Sequence, residues 1–364
     1  MKKKLILFMP SFEGGGVEKN LFLIANFFIK KIDKISIITV SKRYKNKFDK
    51  RISFLAPKYF FWDNFGRLTK YVICLYLLFL EYLKDKNLIV FCFQGNILCI
   101  ILCKLLNIKI IIRPNSSPSG WSKNFIKKKI FTSILKLSDR IIVNSIKFKN
   151  ELKVKFKINS EYIYNPLNYE QIKKLSKTKI NKQSFKKTLK IITVGRLVEQ
   201  KNQITLLKAI NHIKNKMNLE LLIIGEGKDK EKLSQFIKDN KLDKIVKLKN
   251  YIKNPYPYIL SSDIFVLSSL FEGLPNVLLE AIALKTFVIS SNCPTGPAEI
   301  LDNGKGGLLF KMKNYKDLAN KILFFKSNTL ICKKKIQHAS KRLSRFDFDT
   351  NLKKYLKITY SLDG

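Results

Sequence analysis

The sequence predicts an α/β chain of two successive units, each a parallel sheet wound by helices. Three observations carry that reading. Short apolar strands alternate with helical stretches from end to end, a polar, lysine-rich stretch at 168–188 interrupts the rhythm, and the same alternation then starts again. With 364 residues, 46% hydrophobic and 12% aromatic, there is length for two domains and apolar material for two cores.

The first unit is drawn over 1–167. KLILFMP (4–10) opens it as a strand and runs through Gly14-Gly15-Gly16 into the helix VEKNLFLIANFFIKK. This start imitates a signal peptide, but Pro10, Ser11 and the glycines follow where a small-residue cleavage site belongs, so a strand is expected. Strand KISIITV (34–40) comes next. YVICLYLLFLEYL (71–83) is shorter than the ~20 apolar residues that span a bilayer, and reads as a buried or membrane-surface helix. The run LIVFCFQ, a helix around ILCIILCKLLN, and strands KIIIRPN (109–115) and RIIVNS (140–145) complete the unit.

Residues 168–188 lack apolar periodicity and are read as the interdomain linker. The second unit, 189–345, offers strands LKIITVGRL (189–197), LELLIIGEG (219–227), IVKLKNY (245–251), IFVLSS (264–269) and FVISSN (287–292). Helices are expected between them at 202–215, 229–241, 274–285 and 314–328. After residue 330 the chain turns helical. Residues 346–364 hold aromatic and leucine spacing suited to a terminal helix that docks back toward the first unit. Two such units leave a cleft, and open parallel sheets bind ligands at the carboxyl ends of their strands.

Composition excludes several classes. The six cysteines sit mostly inside apolar runs with no CxxC pair, so they are expected as reduced core thiols of a cytoplasmic protein. With only His212 and His338, a zinc site is not expected. Lys and Arg number 70 against 27 acids, a formal charge of +43. The lysines are spread over nearly every helix and loop, without a C2H2 pattern, an RNP-type strand or a basic zipper, which argues against specific nucleic-acid binding. Two readings of the charge remain: a lysine-rich bias on solvated faces, and attraction to an anionic membrane surface.

The densest chemistry lies in FEGLPNVLLEAIALK (271–285). Gly273 and Pro275 break the preceding strand, and Glu272 and Glu280 stand eight residues apart, on the order of 12 Å along a helix. That exceeds the roughly 5 to 10 Å of a glycosidase pair. It fits two carboxylates at opposite ends of a long, hydroxyl-rich ligand, with helix-start N–H groups between them to receive a phosphate. A solvated helical face is the simpler account of either acid alone. VGRLVEQKN (194–202) sets Gly195, Arg196 and Lys201 between a strand and a helix, where two cations suit a diphosphate. IIGEGKDKEKL (223–233) ends a strand in Gly225 and Gly227, and NCPTGPAEIL (292–301) opens another helix.

The ordered set VGRL, QKN, IIGEG, FEGLPNVLLEAIA and PTGPAEIL resembles the C-terminal half of the retaining glycosyltransferases of family 4, the glycosyl transferases group 1. SFEGGGVEKN, RPNSSPSGW and YIYNPLN extend the likeness into the first half. The resemblance implies the GT-B fold, two Rossmann-like domains facing across a cleft, the first on the acceptor side and the second binding a nucleotide-sugar. By that likeness Glu280 would bind the ribose hydroxyls and Glu272 the donor sugar. Arg196 and Lys201 would neutralise the departing diphosphate, a role metals take in other transferases, so no metal or cofactor is expected. Gly195, Gly225 and Gly273, with the N–H groups of Leu274, Asn276 and Val277, would line the donor, and Gly15 and Gly16 would approach it from the first domain. The base would be read around Tyr251. Many relatives hold a histidine in the first domain; here Arg113 or Asn115 stands at that strand end, as a contact to sugar or acceptor.

The implied activity is a retaining, metal-independent hexosyl- or N-acetylhexosaminyltransferase. Its donor would be a nucleotide-sugar, UDP-linked above all. Its acceptor would be a cell-surface glycan or lipid-linked saccharide, met by a cytoplasmic, peripheral enzyme at the inner face of a bacterial membrane during polysaccharide or lipopolysaccharide synthesis. Two alternatives stand beside it. A nucleotide-sugar epimerase on the same fold needs acid–base groups that the first half does not offer. A non-enzymatic protein binding nucleic acid or another anionic polymer would use the basic surface alone.

Overall fold

The computed structural model describes residues 3–12, 14–115, 125–180 and 188–363. They divide into two compact units, one reaching to Pro166 and taking in the residues from Asp349 onward, the other spanning Leu167–Phe348.

The first unit holds strands β1 (Lys4–Phe8), β2 (Ile35–Ile38), β3 (Ser53–Leu55), β4 (Leu88–Cys92), β5 (Lys109–Ile112), β6 (Arg140–Val143) and β7 (Glu161–Tyr162). Its helices are α1 (Gly16–Phe28), α2 (Arg67–Lys84), α3 (Asn96–Leu105), α4 (Phe125–Lys136) and α5 (Ile146–Phe156). All strands run parallel in the order β3-β2-β1-β4-β5-β6-β7, with Leu5 opposite Ile35 and Ile89. The inner strands read as unbroken apolar runs because helices cover both faces of the sheet.

The second unit opens with helix α6 (Tyr169–Ser176), followed by β8 (Leu189–Val194), α7 (Gln203–Ile213), β9 (Leu219–Ile224), α8 (Lys230–Asp239) and β10 (Val246–Lys249). Then come α9 (Tyr256–Leu260), β11 (Ile264–Leu267), α10 (Asn276–Ala283), β12 (Phe287–Ser291), α11 (Gly296–Ile300) and β13 (Leu308–Phe310). Helices α12 (Tyr315–Ser327) and α13 (Thr329–Lys341) close it, and α14 (Phe348–Tyr360) follows. Its sheet is also parallel, ordered β10-β9-β8-β11-β12-β13. In both sheets the chain moves outward on one side, returns, and continues on the other. The reversal falls between β1 and β4, and between β8 and β11.

Several boundaries differ from the sequence expectation. The stretch expected as linker carries α6, which packs on α9 and α10. Asn168 caps it by accepting from the Gln171 N–H at 3.0 Å, and Ile172 is buried, an apolar contact hidden among lysines. Asn254 also donates to the Leu175 carbonyl at 2.9 Å. Residues 181–187 of that stretch lie outside the described ones. The last helix starts at Phe348 rather than 346, after a short 3-10 turn, Arg342–Phe346. It buries Leu352 and Tyr355 in the first unit, where the Tyr355 ring lies 6.2 Å from Phe91. The six cysteines are free and buried.

Candidate functional site

The reversal between β8 and β11 is where a doubly wound sheet leaves a crevice, because the loops leaving the two strands diverge to opposite faces. Here those loops carry the predicted cations and carboxylates. Beyond β8 the chain first zips onto the loop after β9, with the Gly195 N–H on the Ile224 carbonyl at 3.0 Å and the Leu197 N–H on the Glu226 carbonyl at 2.7 Å. This approach explains the glycines of IIGEG. A Cβ on Gly225 would stand 1.9 Å from the Gly195 oxygen, and one on Gly227, at φ +151°, 2.3 Å from the Leu197 oxygen. Gly225→Ala should therefore displace the Gly195 turn and destabilise the fold by roughly 1–3 kcal/mol, read as a lower melting temperature.

The two loops are then stitched together. Lys201 ends a 3-10 turn, Glu199–Lys201, and its Nζ meets Glu272 Oε1 at 2.5 Å. The Ser269 hydroxyl donates to the same oxygen at 2.6 Å, and Ser268 donates to the Lys201 carbonyl at 2.9 Å. Gln200 accepts from the Leu270 N–H through its carbonyl at 2.8 Å and donates its side-chain amide to the Phe271 carbonyl at 2.9 Å. Gln203 holds the Arg196 carbonyl at 2.9 Å, fixing the turn from which the half-buried arginine projects.

Glu272 is pinned along its backbone as well. Its N–H donates to the Pro294 carbonyl at 2.6 Å, and its carbonyl accepts from the Thr295 N–H at 2.9 Å. Its side chain is only 8% exposed, so the carboxylate is held in place by Lys201 and Ser269 rather than by water. Cys293 lines the same spot. Burial first, then the Glu272 charge, push its thiol up to about 12, and it stays protonated at neutral pH.

Helix α10 begins later than expected. Pro275 keeps an extended backbone, ψ 109°, so Asn276 is the first helical residue and Leu274 belongs to the loop. The N–H groups of Asn276 and Val277 are first-turn groups outside the i to i−4 ladder, whereas Leu278 already bonds the Pro275 carbonyl at 3.1 Å. Gly296 seats this loop: a Cβ there would fall 2.1 Å from the Gly273 oxygen. Glu280, 6% exposed, is buried midway along α10. Tyr251 follows β10 at the same edge of the sheet, its ring exposed and its N–H on Glu226 Oε1 at 3.3 Å.

The structure thus brings Gly195, Arg196, Lys201, Gly225, Glu272, Gly273, Leu274, Asn276, Val277 and Glu280 to one end of one sheet. In the first unit the candidates meet partners within the fold. Gly15 is the N-cap of α1, and its N–H is engaged by Glu18 Oε2 at 2.8 Å, so a carboxylate already occupies the amide a phosphate would need; Gly16 is the helix's first residue. Arg113 is 1% exposed and turned inward, its guanidinium donating to Tyr355 Oη at 2.9 Å, Asn115 Oδ1 at 2.8 Å and Asn165 Oδ1 at 2.6 Å. Asn115 spends its amide group on the Phe93 carbonyl at 2.8 Å. The pair therefore serves as an internal strut, since every hydrogen bond above points into the unit. The rest of RPNSSPSGW, from Ser116 to Trp121, lies outside the described residues.

Sequence reasoning missed Ser269, Gln200, Gln203 and Cys293. A signal existed for Ser269, which precedes Glu272 by three residues in an S-x-x-E spacing where hydroxyl and carboxylate meet. The glutamines and the cysteine carry no such pattern.

Residues 176–342 match the family model of the glycosyl transferases group 1. The uncharacterized glycosyltransferase MJ1059 of Methanocaldococcus jannaschii is 34% identical over 206 residues, 54% of this chain and 51% of that protein. A Campylobacter jejuni enzyme, N-acetylgalactosamine-N,N'-diacetylbacillosaminyl-diphospho-undecaprenol 4-alpha-N-acetylgalactosaminyltransferase, is 30% identical over 215 residues, 57% of each chain. The chain thus spans about half the length of these curated relatives. Among solved structures, Anabaena Alr3699/HepE in complex with UDP superposes with a TM-score of 0.77 at 16% identity, covering 99% of this chain and 100% of that one. Sucrose-phosphate synthase from Thermosynechococcus elongatus gives 0.81 at 14% identity, covering 99% of each. These likenesses establish the fold, two Rossmann-like α/β domains of the GT-B kind. Through residues 176–342, nearly the whole of its second unit, the chain is similar to the glycosyl transferases group 1.

Proposed function

We propose that the chain is a retaining, metal-independent glycosyltransferase that moves a sugar from a UDP-sugar to a lipid-linked saccharide or other cell-surface glycan. The observation that carries this reading is the Lys201–Glu272 pair, its carboxylate buried, at the β8–β11 reversal beside the start of α10. Carboxylates there suit sugar and ribose hydroxyls, and cations with helix-start amides suit a diphosphate. The UDP bound to the Anabaena protein supports the nucleotide, and the diphospho-undecaprenol in the Campylobacter enzyme's name supports the acceptor class.

In this reading the bond from the anomeric carbon to the diphosphate oxygen breaks as one to the acceptor hydroxyl oxygen forms on the same face. The acceptor proton passes to the departing diphosphate. Arg196 and Lys201 stabilise the charge growing on that leaving group, Lys201 being held in place beforehand by Glu272. Glu272, already fixed by Ser269, meets the donor sugar, and Glu280 the ribose.

A donor screen reading UDP release, with the anomeric configuration of the product followed by NMR, tests the reaction. Activity should survive chelation of divalent metals. Glu280→Ala should raise the donor KM by about 10- to 100-fold through lost charged hydrogen bonds. Full activity of both Glu280→Ala and Arg196→Ala with the true donor would refute the assignment.

A further inference from the structure

Parallel sheets usually bind ligands at the carboxyl ends of their strands, but the first unit also has a cavity at the amino ends. It measures about 700 Å³ and lies where β6 and β7 begin, between the turns leading into them and one face of α14. Three stretches far apart in sequence meet there, 136–141, 157–163 and 354–361. None of them contributes a residue to the loops after β8 and β11. The floor is apolar, with Ile158 and Ile358 buried in it.

Five cations line the walls: Lys136 at the end of α4, Arg140 opening β6, Lys157 capping α5, and Lys354 and Lys357 three residues apart on α14. Arg140 has a carboxylate near it, Glu161 at 4.0 Å. The other lining acid, Asp139, is already engaged, its Oδ2 accepting from Lys104 Nζ and from the Ile110 N–H, each at 2.8 Å. Among the described residues, none of the four lysines pairs with a carboxylate. Cations commonly close helices, which accounts for Lys136, Lys157 and Lys357 one at a time. It does not account for Lys354 in mid-helix, nor for four unpaired charges around one concavity, where their fields add. A second observation points the same way. Of the three lining serines, Ser138 donates to the Leu135 carbonyl at 2.7 Å and Ser361 to the Ile358 carbonyl at 2.8 Å, whereas Ser160 Oγ is buried without a partner. A buried hydroxyl in that position calls for a ligand or water beside it.

We propose that this cavity binds a small molecule carrying two or more adjacent phosphates, which ties α14 to the sheet. Lysines meet phosphates as point charges, and a ligand held between the sheet and the last helix stabilises their contact by mass action. The site goes beyond the transfer reaction, and its readout needs neither donor nor acceptor. Tripolyphosphate titrated into the full chain should slow hydrogen exchange across 349–361 along a saturable curve. Lys354→Ala/Lys357→Ala should move the midpoint at least about tenfold higher, with the melting temperature of the free protein unchanged because both side chains are exposed. Lys136→Ala should move it in the same direction. Arg196→Ala, in the donor loops, should leave the curve in place, as should the charge-matched control Lys333→Ala/Lys334→Ala on α13. ATP in a parallel titration separates the sources of the phosphates: a lower midpoint than tripolyphosphate assigns the apolar floor to a nucleoside, and an equal or higher one assigns the cavity to a free polyphosphate. The proposal is overturned if exchange in 349–361 does not respond to tripolyphosphate. It is equally overturned if Arg196→Ala abolishes the response, or if the control variant loses as much as the α14 variant, the mark of diffuse attraction to a basic surface.

Discussion

Lys201→Ala should lower kcat by about 10²- to 10³-fold, because it removes a cation aligned in advance on the leaving group. It should also destabilise the fold by roughly 3 kcal/mol, since Glu272 would stay buried with only Ser269 to hold its charge. The two effects separate in a double variant. Lys201→Ala/Glu272→Gln should recover most of the lost stability, as no charge remains to be compensated, while turnover stays low. Denaturation and initial rates on the same three proteins, wild type included, decide it. If the double variant stayed as unstable as Lys201→Ala, the pair would not be the coupling described.

The second large effect is expected far from the donor loops. Arg113→Leu leaves Tyr355, Asn115 and Asn165 without the donor they share, and should destabilise the fold by roughly 3 to 5 kcal/mol. The damage should appear first as protease access to α14, whose Tyr355 is one of those partners. Nucleotide affinity should hold, because Arg113 does not belong to the β8–β11 site. A selective loss of UDP or acceptor affinity with unchanged stability would instead restore the substrate contact that the resemblance implied.

These two residues also mark what was legible beforehand. The Lys201 site could be read because strand ends announce themselves, an apolar run followed at once by glycine and charge, and because its parts cluster within a few residues of such ends. The core strands were equally plain. Short edge strands such as Ser53–Leu55 and Leu308–Phe310 have too few residues to set a period. Helix α6 was mistaken for linker because one buried isoleucine among lysines gives almost no pattern. The inward partners of Arg113 were hidden for a different reason. Its partner Tyr355 lies 242 residues away along the chain, and nothing local distinguishes an arginine facing a ligand from one facing a distant hydroxyl.

That separation has a consequence for synthesis. The first unit is discontinuous, and its final helix is made only after the whole of residues 167–348. While residues 167–348 emerge as an uninterrupted stretch able to close on itself, the earlier unit must wait with a buried cation still short of one acceptor. Pulse proteolysis of ribosome-bound chains of increasing length should find the later-made unit protected first, and an early-protected 1–166 would contradict this order. Of the two units, the one begun earlier is the one completed later.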